Sequence, residues 1–386
     1  MLARYAQLSQ TFVDGEISEQ RRRGSTVPVL ALRRGDRDLG DDPRVTYLED
    51  VPDDWPQVFR HNLAALLRHP LGYSTFLRRV RLLRTEMGRS RPELLRWWRL
   101  PGVATELRSQ GVRVLHAHFA WSGAAAAACL SPLLGAPWSM TVHANDIHAR
   151  RRNLEVKLAL ADQVVTVCRY NLEALPGTRS PVRVLTCGIT LPQEAPQVER
   201  DLDLVCVGRL IAKKGVDLAV EAVGQLRDRG IATTLHVVGD GPLRSALDEQ
   251  VTRAGLQDHI CFHGALPHEE VLGLVGRAKV LCLPCRVAPD GDRDAMPTVL
   301  VEAMARGVPV VSTDIGGIPE MVDADVGRLV PPEQVDALAD ALAELLTDAP
   351  LRERLGNAGR VRAAERFDVR QQTATLAEWL QELATR

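Results

Sequence analysis

The sequence predicts an α/β protein made of two domains, and three observations lead to this prediction. The chain has 386 residues, which is long for one hydrophobic core and suits two domains of ordinary size. Its second half alternates nearly continuous apolar strands with amphipathic helices, the pattern of a parallel sheet covered on both faces. A segment rich in Pro, Gln and Glu, TLPQEAPQVERD at 190–201, separates this half from a first half with a weaker form of the same alternation.

The composition excludes several other classes of protein. Hydrophobic residues make up 45% of the chain and charged residues 25%, which is ordinary for a soluble globular protein. The net charge of −1 gives no general attraction to nucleic acid, so we expect no nucleic-acid partner. No apolar run approaches the ~20 residues of a membrane span. The start, MLARYAQLSQ, lacks the apolar region of a signal peptide, and we expect a cytoplasmic protein.

Cysteine usage fits the same compartment. The chain has seven cysteines, an odd number spread over strand-like segments, which indicates reduced thiols. Cys282 and Cys285 form a CLPC pair with metal-like spacing, but no second pair or histidine cluster follows in the sequence to complete four ligands. We therefore interpret this pair as structural.

The first domain is expected to span residues 1–190. Its predicted strands are short apolar segments bounded by turn residues, with helices between them. These strands are expected at 25–35, 112–120, 137–146, 161–168 and 182–189.

The second domain is expected to span residues 202–365, and residues 366–386 are expected to form a C-terminal helix that crosses back to the first domain. Its predicted strands are 202–208, 233–239, 259–264, 279–285 and 309–313, and its predicted helices are 216–229, 242–255, 268–277 and 298–306. Parallel sheets bind ligands at the carboxyl ends of their strands, so functional residues are sought in the loops that follow these strands.

The segment DGDRDAMPTVLVEAMARGVPVVSTDIGGIPE at 290–320 is the most informative of these loops. Pro297 suits the first turn of a helix, and Gly307 ends that helix before a β-branched strand. Asp294 then lies just ahead of the helix, while Glu302 lies one turn inside it, on the same face as Thr298. Free backbone N–H groups and the positive end of the helix dipole between two carboxylates would suit a phosphate flanked by hydroxyl groups, the form of a nucleotide sugar.

Other loops carry weaker signals. In VGRLIAKKG, Arg209 and Lys214 follow the first strand of the second domain, either to neutralise a diphosphate or as a solvated basic turn. The sequence GDGPLR is half of a dinucleotide-binding fingerprint, but Arg244 replaces its third glycine and no acidic residue ends the next strand, so we expect no nicotinamide site. The DGD at 290–292 is interpreted as a solvated turn rather than a metal site. His143 follows a buried strand and is either structural or part of the site.

Together these motifs resemble glycosyltransferase family 4, over nearly the whole chain. The resemblance is carried by VGRLIAKKGVD, GDGPLR, ICFHGAL, DRDAMPTVLVEAMARGVPVV and GGIPEMV, in the family's order. The family's paired-carboxylate signature, E-x7-E, appears here with Asp294 in its first place. In the first half, YAQLSQTFVDGEI, LHAHFA and TVHANDIH resemble the subgroup that builds bacterial surface polysaccharides. The resemblance implies a GT-B fold, with two Rossmann-like domains facing across a cleft.

The resemblance also implies roles for individual residues. Glu302 would hold the ribose of a nucleotide-sugar donor, and Asp294 the hydroxyl groups of the transferred sugar. Arg209 and Lys214 would bind the diphosphate, together with backbone N–H groups near Thr298 and Val299; His143 would reach the sugar from the first domain. Family members transfer a hexose with retention of configuration and usually without a metal or other cofactor. The leaving diphosphate takes the proton of the acceptor, a saccharide or lipid-linked saccharide.

Three alternatives remain open at this level. A paired-carboxylate glycosidase also uses two acids, but it would not need two cations beside a helix N-terminus. A catalytically inactive nucleotide-sugar-binding protein could share the fold. A soluble natural-product acceptor of the aminoglycoside kind could replace the lipid-linked one. In addition, only MLARY precedes the first loop, so either the start is late or another segment takes the place of the family's first strand.

The segment 60–99 is unusually basic. Ten arginines face only Glu86 and Glu93 there; they are Arg60, Arg68, Arg78, Arg79, Arg81, Arg84, Arg89, Arg91, Arg96 and Arg99. Leu, Val and the pair Trp97–Trp98 interleave with them at helical spacing. This pattern is typical of a helix on an anionic membrane surface, peripheral on the inner membrane face. Alternatively, the apolar stripe packs on the first domain and the arginines are solvated or bind an anionic acceptor.

Overall fold

The computed structural model describes residues 1–5, 10–35, 42–51, 54–86, 96–149, 151–175, 177–178, 180–193 and 198–386. The chain divides into two compact units. Unit 1 consists of Met1–Val167, Asn171–Leu185 and Arg370–Arg386, and unit 2 of Cys168–Tyr170 and Thr186–Val369.

Unit 1 contains two parallel sheets, one of three strands in the order β1-β2-β3 and one of four in the order β4-β5-β6-β7. The strands are β1 Leu2–Tyr5, β2 Val29–Arg34, β3 Val45–Tyr47, β4 Leu115–His118, β5 Trp138–Val142, β6 Gln163–Thr166 and β7 Val182–Val184. The α-helices are α1 Thr11–Arg22, α2 Trp55–Arg68, α3 Pro70–Leu82, α4 Leu100–Ser109, α5 Ser122–Leu134, α6 Ala144–His148, α7 Leu154–Leu160, α8 Tyr170–Ala174 and, at the end of the chain, α15 Val369–Ala384. Arg84–Glu86 and Trp97–Arg99 form 3-10 turns.

The core of unit 1 is organised around α5, whose alanine run allows close packing. Ala124, Ala125, Ala126, Ala127 and Ala128 are all fully buried. At Gly123, a Cβ atom would come within 2.7 Å of the backbone of Leu2, so a larger residue would push β1 away. Small side chains on this helix therefore bring it close to the first strand.

Unit 2 is a single six-stranded parallel sheet in the order β10-β9-β8-β11-β12-β13. Its strands are β8 Leu202–Val207, β9 Leu235–Val238, β10 Ile260–Gly264, β11 Ala278–Leu283, β12 Val310–Thr313 and β13 Gly327–Val330. Its α-helices are α9 Val216–Asp228, α10 Arg244–Ala254, α11 His268–Arg277, α12 Thr298–Ala305, α13 Val335–Thr347 and α14 Ala349–Arg366. The strand order reverses direction at β8 and β11, the position where doubly wound sheets bind their ligands.

The helix α12 is held in the core of unit 2 over nearly all its surface. Every residue of Val299–Ala305 is buried, and among them only Glu302 is charged. Arg200 also fixes the position of this helix. One of its nitrogens donates hydrogen bonds to the carbonyl groups of Gly276 and Ala278, each at 3.0 Å. Its other nitrogen donates to the carbonyl groups of Arg306 and Gly307, at 2.9 and 3.0 Å. These contacts join α11, β11 and the end of α12.

The strands and helices predicted in both halves are present, with ends shifted by a few residues. Three short strands were not predicted: β1, β3 and β13. The segment MLARY contains a strand of its own: Leu2–Tyr5 pairs in parallel with β2, with Leu2 opposite Ala31. In the described part of the basic segment 60–99, the predicted single helix is replaced by α2, α3 and the two 3-10 turns, and Trp97 is buried in the core.

Parts of several predictions lie outside the described residues. These are positions 6–9 of YAQLSQTFVDGEI, positions 194–197 of the linker, and Arg89, Arg91 and Glu93 of the basic segment. Within the described ranges, none of the helices combines the length and the apolar character needed to cross a bilayer.

Candidate functional site

Four charged side chains converge at the carboxyl ends of β8 and β11 in unit 2. Lys214 Nζ lies 2.5 Å from Asp294 Oδ2, and Lys213 Nζ lies 3.2 Å from Asp294 Oδ1. Lys213 also pairs with Asp292 at 3.0 Å. The two lysines come from the turn after β8, and the two aspartates from the loop before α12. This group of four is the ion cluster of unit 2.

The ion cluster keeps its charges although its side chains are only slightly exposed. Burial raises the pKa of Asp294, but Lys214 and Lys213 outweigh this effect and lower that pKa to about 2. Burial likewise lowers the pKa of Lys214, yet Asp294 raises it above the usual value for lysine. Both groups are therefore ionised at neutral pH, and each compensates the desolvation of the other.

The lysine turn is held in place from two sides. Arg286, from the loop after β11, donates to the carbonyl of Ala212 at 2.9 Å and to both carboxylate oxygens of Asp217 at 2.6 Å. Gly215 ends the turn with φ of +62°, and a Cβ atom there would lie 1.9 Å from the carbonyl oxygen of Pro284. Only glycine tolerates both conditions, so the lysines are positioned against β11.

The N-terminus of α12 adds backbone donors to the same edge of the sheet. No side chain caps this helix, so the first N–H groups, at Thr298 and Val299, have no side-chain acceptor. Pro297 stands immediately before the helix rather than in its first turn. Glu302 is only 7% exposed, and its Oε1 lies 3.1 Å from Nε2 of His268, the first residue of α11. An anion at this helix end would meet free N–H groups and a positive dipole end.

The two remaining predictions for this edge have different outcomes. Arg209 is exposed and forms no ion pair with any residue that the structure describes. For the DGD sequence, Asp290 is an exposed turn residue as predicted, but the prediction is wrong for Asp292, which belongs to the ion cluster. Lysine, rather than solvent, satisfies that carboxylate.

The glycines of GDGPLR have a packing role. A Cβ atom at Gly239 would lie 2.0 Å from the carbonyl oxygen of Gly208, and one at Gly241 would lie 2.6 Å from that of Leu210. They therefore let the loop after β9 approach the loop after β8. Cys282 and Cys285 are fully buried, with no cluster of metal-binding side chains around them in the described chain.

His143 lies in unit 1, directly after β5. Its ring stacks on that of Phe119, with centroids 4.2 Å apart, and lies 5.3 Å from the ring of Phe12. Burial, followed by the charge of His118, lowers its pKa well below 6.5, so the ring is neutral at physiological pH. Its Nε2 is buried and has no hydrogen-bond partner among the described residues. A buried, neutral and unpartnered ring nitrogen can bind a hydroxyl group.

A buried acid holds the backbone of His143. Asp146 is fully buried, and its Oδ2 accepts a hydrogen bond of 2.8 Å from the N–H of His143. Burial raises its pKa to about 7 although hydrogen bonds and Lys157 act in the opposite direction. Lys157 is itself fully buried and pairs with Glu86 at 2.8 Å. The sequence HANDIH thus contains a positioning acid as well as the candidate site histidine.

Sequence reasoning did not identify three partners of the predicted residues: Lys213, His268 and Phe119. Lys213 could have been found, since it is the first residue of the KK pair that contains Lys214. His268 and Phe119 carried no such signal, because each is far in sequence from the residue that it contacts. The predicted site residues of unit 2 lie at one edge of its sheet, in two loops and in α12; among them are Asp294, Lys214, Glu302, Thr298 and Val299. His143 belongs to unit 1.

Curated proteins similar to this chain are glycosyltransferases. An Escherichia coli K12 protein assigned to colanic acid biosynthesis as a glycosyltransferase is 29% identical over 369 residues, covering 89% of this chain and 88% of that protein. A GDP-mannose-dependent phosphatidylinositol monomannoside mannosyltransferase of Mycolicibacterium smegmatis is 37% identical over 46% of this chain and 47% of that enzyme. A 2-deoxystreptamine glucosyltransferase of Streptomyces kanamyceticus is 33% identical, covering 56% of this chain and 54% of that enzyme.

Solved structures support the same fold. Sucrose-phosphate synthase of Thermosynechococcus elongatus has a TM-score of 0.71 at 18% identity and covers 99% of this chain and 98% of its own. HepE of Anabaena, solved in complex with UDP, has a TM-score of 0.62 at 22% identity and covers 73% of this chain and 82% of its own. The fold is therefore GT-B.

Two family models account for most of the sequence. The model described as "Glycosyltransferase Family 4" matches residues 10–192, and the model described as "Glycosyl transferases group 1" matches residues 190–362. Their boundary falls between the strand–helix alternations of the two halves. The chain belongs to glycosyltransferase family 4, and it is a glycosyltransferase.

Proposed function

We propose that this enzyme transfers a sugar from a UDP- or GDP-sugar to a hydroxyl group of a saccharide or lipid-linked saccharide during cell-surface polysaccharide biosynthesis. The observation that carries the donor part is the ion cluster beside the uncapped N-terminus of α12. The similar proteins support the rest: one is a glycosyltransferase of colanic acid biosynthesis, one is GDP-mannose-dependent, and HepE was solved with UDP.

In the proposed donor complex, the diphosphate replaces Asp294 as the main partner of Lys214. Lys213 and Arg209 add positive charge, and the N–H groups of Thr298 and Val299 donate to phosphate oxygens. Asp294 is then available for the hydroxyl groups of the sugar. Glu302, oriented by His268, accepts hydrogen bonds from the ribose hydroxyls, and Nε2 of His143 binds the sugar near its reacting carbon.

The proposed reaction requires no nucleophile from the protein. The acceptor oxygen forms a bond with the anomeric carbon, and the bond from that carbon to the donor phosphate oxygen breaks. The proton of the acceptor hydroxyl passes to the departing diphosphate on the same face, which retains the anomeric configuration. Cationic side chains and a helix N-terminus stabilise the negative charge that develops on the leaving group, and we propose that they do so without a metal.

A donor screen with matched variants tests this proposal. Loss of one charge-assisted contact costs on the order of 2–3 kcal/mol, so Lys214→Ala and Glu302→Ala should each lower kcat/KM about a hundredfold. Lys279→Ala is the control, since this lysine pairs with Asp203 at the opposite end of the sheet and should leave transfer unchanged. NMR of the product reports the anomeric configuration. Activity abolished by EDTA and restored by Mn²⁺ would contradict metal independence, and near-normal rates in both variants would contradict the donor site.

We further propose that α2 and α3 bind an anionic membrane surface. The outer face of α2 carries Trp55, Phe59, Leu63, Leu66 and Leu67, with Phe59 68% exposed and Leu67 72% exposed, and α3 adds Leu71 at 83%. Exposed arginines flank these side chains; they are Arg60, Arg68, Arg78, Arg81 and Arg84. An apolar stripe bordered by arginine matches the interface of a negatively charged bilayer. A lipid-linked acceptor would be reached from there.

Vesicle flotation tests the membrane proposal. The test variant combines Arg60→Glu, Arg78→Glu and Arg81→Glu; Arg79 is left in place because it donates to the carbonyl of Ala128 at 2.6 Å. The control variant combines Arg253→Glu, Arg354→Glu and Arg386→Glu, three exposed arginines outside α2 and α3. We expect the wild type and the control to float with phosphatidylglycerol vesicles at low salt, and the test variant to remain behind. Failure of the wild type to bind would favour a soluble acceptor, as in the 2-deoxystreptamine glucosyltransferase.

A further inference from the structure

A second cluster of titratable side chains lies on the outer strands of unit 2 and takes no part in the proposed transfer. His236 on β9 is the direct register partner of Cys261 on β10. His263 follows two positions later on β10. Direct partners on neighbouring strands share a face, and although the register shifts between Phe262 and Gly264, the ring of His263 stacks on that of His236, with centroids 5.2 Å apart. The three side chains therefore project from the same face of the sheet.

Their donor atoms are close enough to share one ion. His236 Nδ1 lies 2.9 Å from His263 Nε2, and the ligand atoms of all three residues lie within 4.8 Å of one another. Tetrahedral zinc, bound at about 2.0–2.1 Å from nitrogen and about 2.3 Å from sulfur, needs nitrogens about 3.4 Å apart and nitrogen and sulfur about 3.6 Å apart. The two ring nitrogens would therefore have to move apart by about 0.5 Å, and the sulfur, which lies within 4.8 Å of both, would have to approach them by at most about 1.2 Å.

The surroundings suit a cation that prefers nitrogen and sulfur. The two histidines offer imidazole nitrogens and Cys261 offers a sulfur, which are ligands that zinc prefers. The charged groups near His236 are paired with each other: Arg277 with Asp201 at 2.8 Å and Lys279 with Asp203 at 2.7 Å, so no uncompensated positive charge among them opposes a cation. Cys261 is exposed, so an ion has a path from solvent.

We propose that His236, Cys261 and His263 form a zinc site with three protein ligands and one position open to water. On binding, the thiol of Cys261 loses its proton to solvent as sulfur bonds to zinc. The hydrogen bond between the two rings is replaced by two nitrogen–zinc bonds. The ring that donated the hydrogen bond releases that proton to solvent and takes one up on its other nitrogen, so both neutral rings offer a lone pair to the ion. The ion fastens the edge strand β10 to β9.

A second histidine-containing group among the residues that the structure describes, Glu16, His116 and His118, is a weaker candidate. Both ring nitrogens of His116 are already engaged, with Ser139 at 2.6 Å and Thr141 at 3.1 Å. Zinc would have to displace one of these hydroxyl groups in a buried place. In the His236 cluster, only one inter-ring hydrogen bond is lost.

Metal titration of the chelator-treated, full-length protein tests the site. Cobalt, a spectroscopic substitute for zinc, should bind as one equivalent and give a thiolate-to-cobalt charge-transfer band, which zinc then abolishes by displacement. Cys261→Ala should remove the band and weaken zinc binding roughly a hundredfold, about 2.7 kcal/mol. His263→Ala should weaken binding without removing every trace of the thiolate band.

Two controls keep the test specific. Cys187→Ala alters the other cysteine that is not fully buried, and His259→Ala alters a histidine beside β10 whose Nδ1 lies 2.9 Å from the carbonyl of Thr233. Both should bind zinc like the wild type, with circular dichroism verifying the fold of every variant. Equal zinc affinity in Cys261→Ala and the wild type, or no binding by the wild type at micromolar zinc, would overturn the proposal. This experiment measures zinc binding, so its outcome does not depend on whether the protein transfers a sugar.

Discussion

Asp146 illustrates how a single buried acid can make the stability of this protein depend on pH. Its pKa is raised to about 7 in the folded chain, whereas an unfolded aspartate titrates near 3.8. Between these two values the folded state holds a proton that the unfolded state has released. The stabilisation from this group is therefore complete below about pH 3.8 and is lost as the pH rises through 7.

This shift gives a prediction for Asp146→Asn, which keeps an oxygen acceptor for the N–H of His143 but cannot ionise. From pH 5 to pH 8 the wild type should lose roughly 2–3 kcal/mol of unfolding free energy relative to the variant. The reason is that the folded and unfolded states differ in the protonation of Asp146 between about pH 3.8 and 7, and about two units of that interval lie above pH 5. Urea denaturation at both pH values measures the difference. Parallel pH profiles for the two proteins would show that Asp146 is ionised throughout.

At the scale of single residues, the sequence identified the charged groups of the donor edge but not their pairing. Asp294 and Lys214 each lie beside a predicted element, so their loops could be located. Their contact at 2.5 Å joins positions distant in the chain. The same holds for Glu302 and His268. Such pairings depend on strand order, which periodicity along one segment does not report.

Among the secondary-structure elements, α2 and α3 differ most from the helices around them. None of the residues of α2 is buried, whereas α3 inserts Tyr73 and Phe76 into the core of unit 1. Hydrophobic spacing alone gave both segments the same interpretation. It could not separate a stripe that packs inward from one that faces solvent, because the two have the same period.

Two phenylalanines therefore form a matched pair for a stability test. Phe76 is 1% exposed, so Phe76→Ala should cost about 3–5 kcal/mol of unfolding free energy. Phe59 is 68% exposed, so Phe59→Ala should change that free energy by no more than about 0.5 kcal/mol in the absence of membrane. Chemical denaturation of both variants measures the contrast. A large loss for Phe59→Ala would mean that the outer face of α2 is covered by protein in solution.

The longer strands of unit 2 were predictable because β-branched and apolar residues run through them without interruption. The short strands β1, β3 and β13 were not, since three or four residues give too little pattern to recognise. Their positions depend on neighbours: β1 is defined by its pairing with β2, and β13 by its pairing with β12. For a strand of only three or four residues, the local sequence does not show whether a strand forms; pairing with a neighbouring strand decides it.

For the whole molecule, the proposed donor residues other than His143 belong to unit 2, and this distribution predicts where a nucleotide should alter hydrogen exchange. UDP or GDP should slow exchange most strongly in residues 208–216 and 294–303, where the ion cluster and the start of α12 lie. Mass spectrometry of the full chain with and without nucleotide measures the effect. The backbone around β10 serves as an internal reference, and protection centred there would contradict the assignment.

The immersion of α12 in the core has a consequence for how this enzyme can acquire new specificity. Because every side chain of Val299–Ala305 is packed, most substitutions on that helix carry a folding penalty before they can alter a substrate preference. The neighbouring loops at 209–213 and 286–293 contain exposed or half-exposed positions. Sequence drift and laboratory selection for different donors should therefore accumulate changes in those loops, while the sequence of α12 changes little.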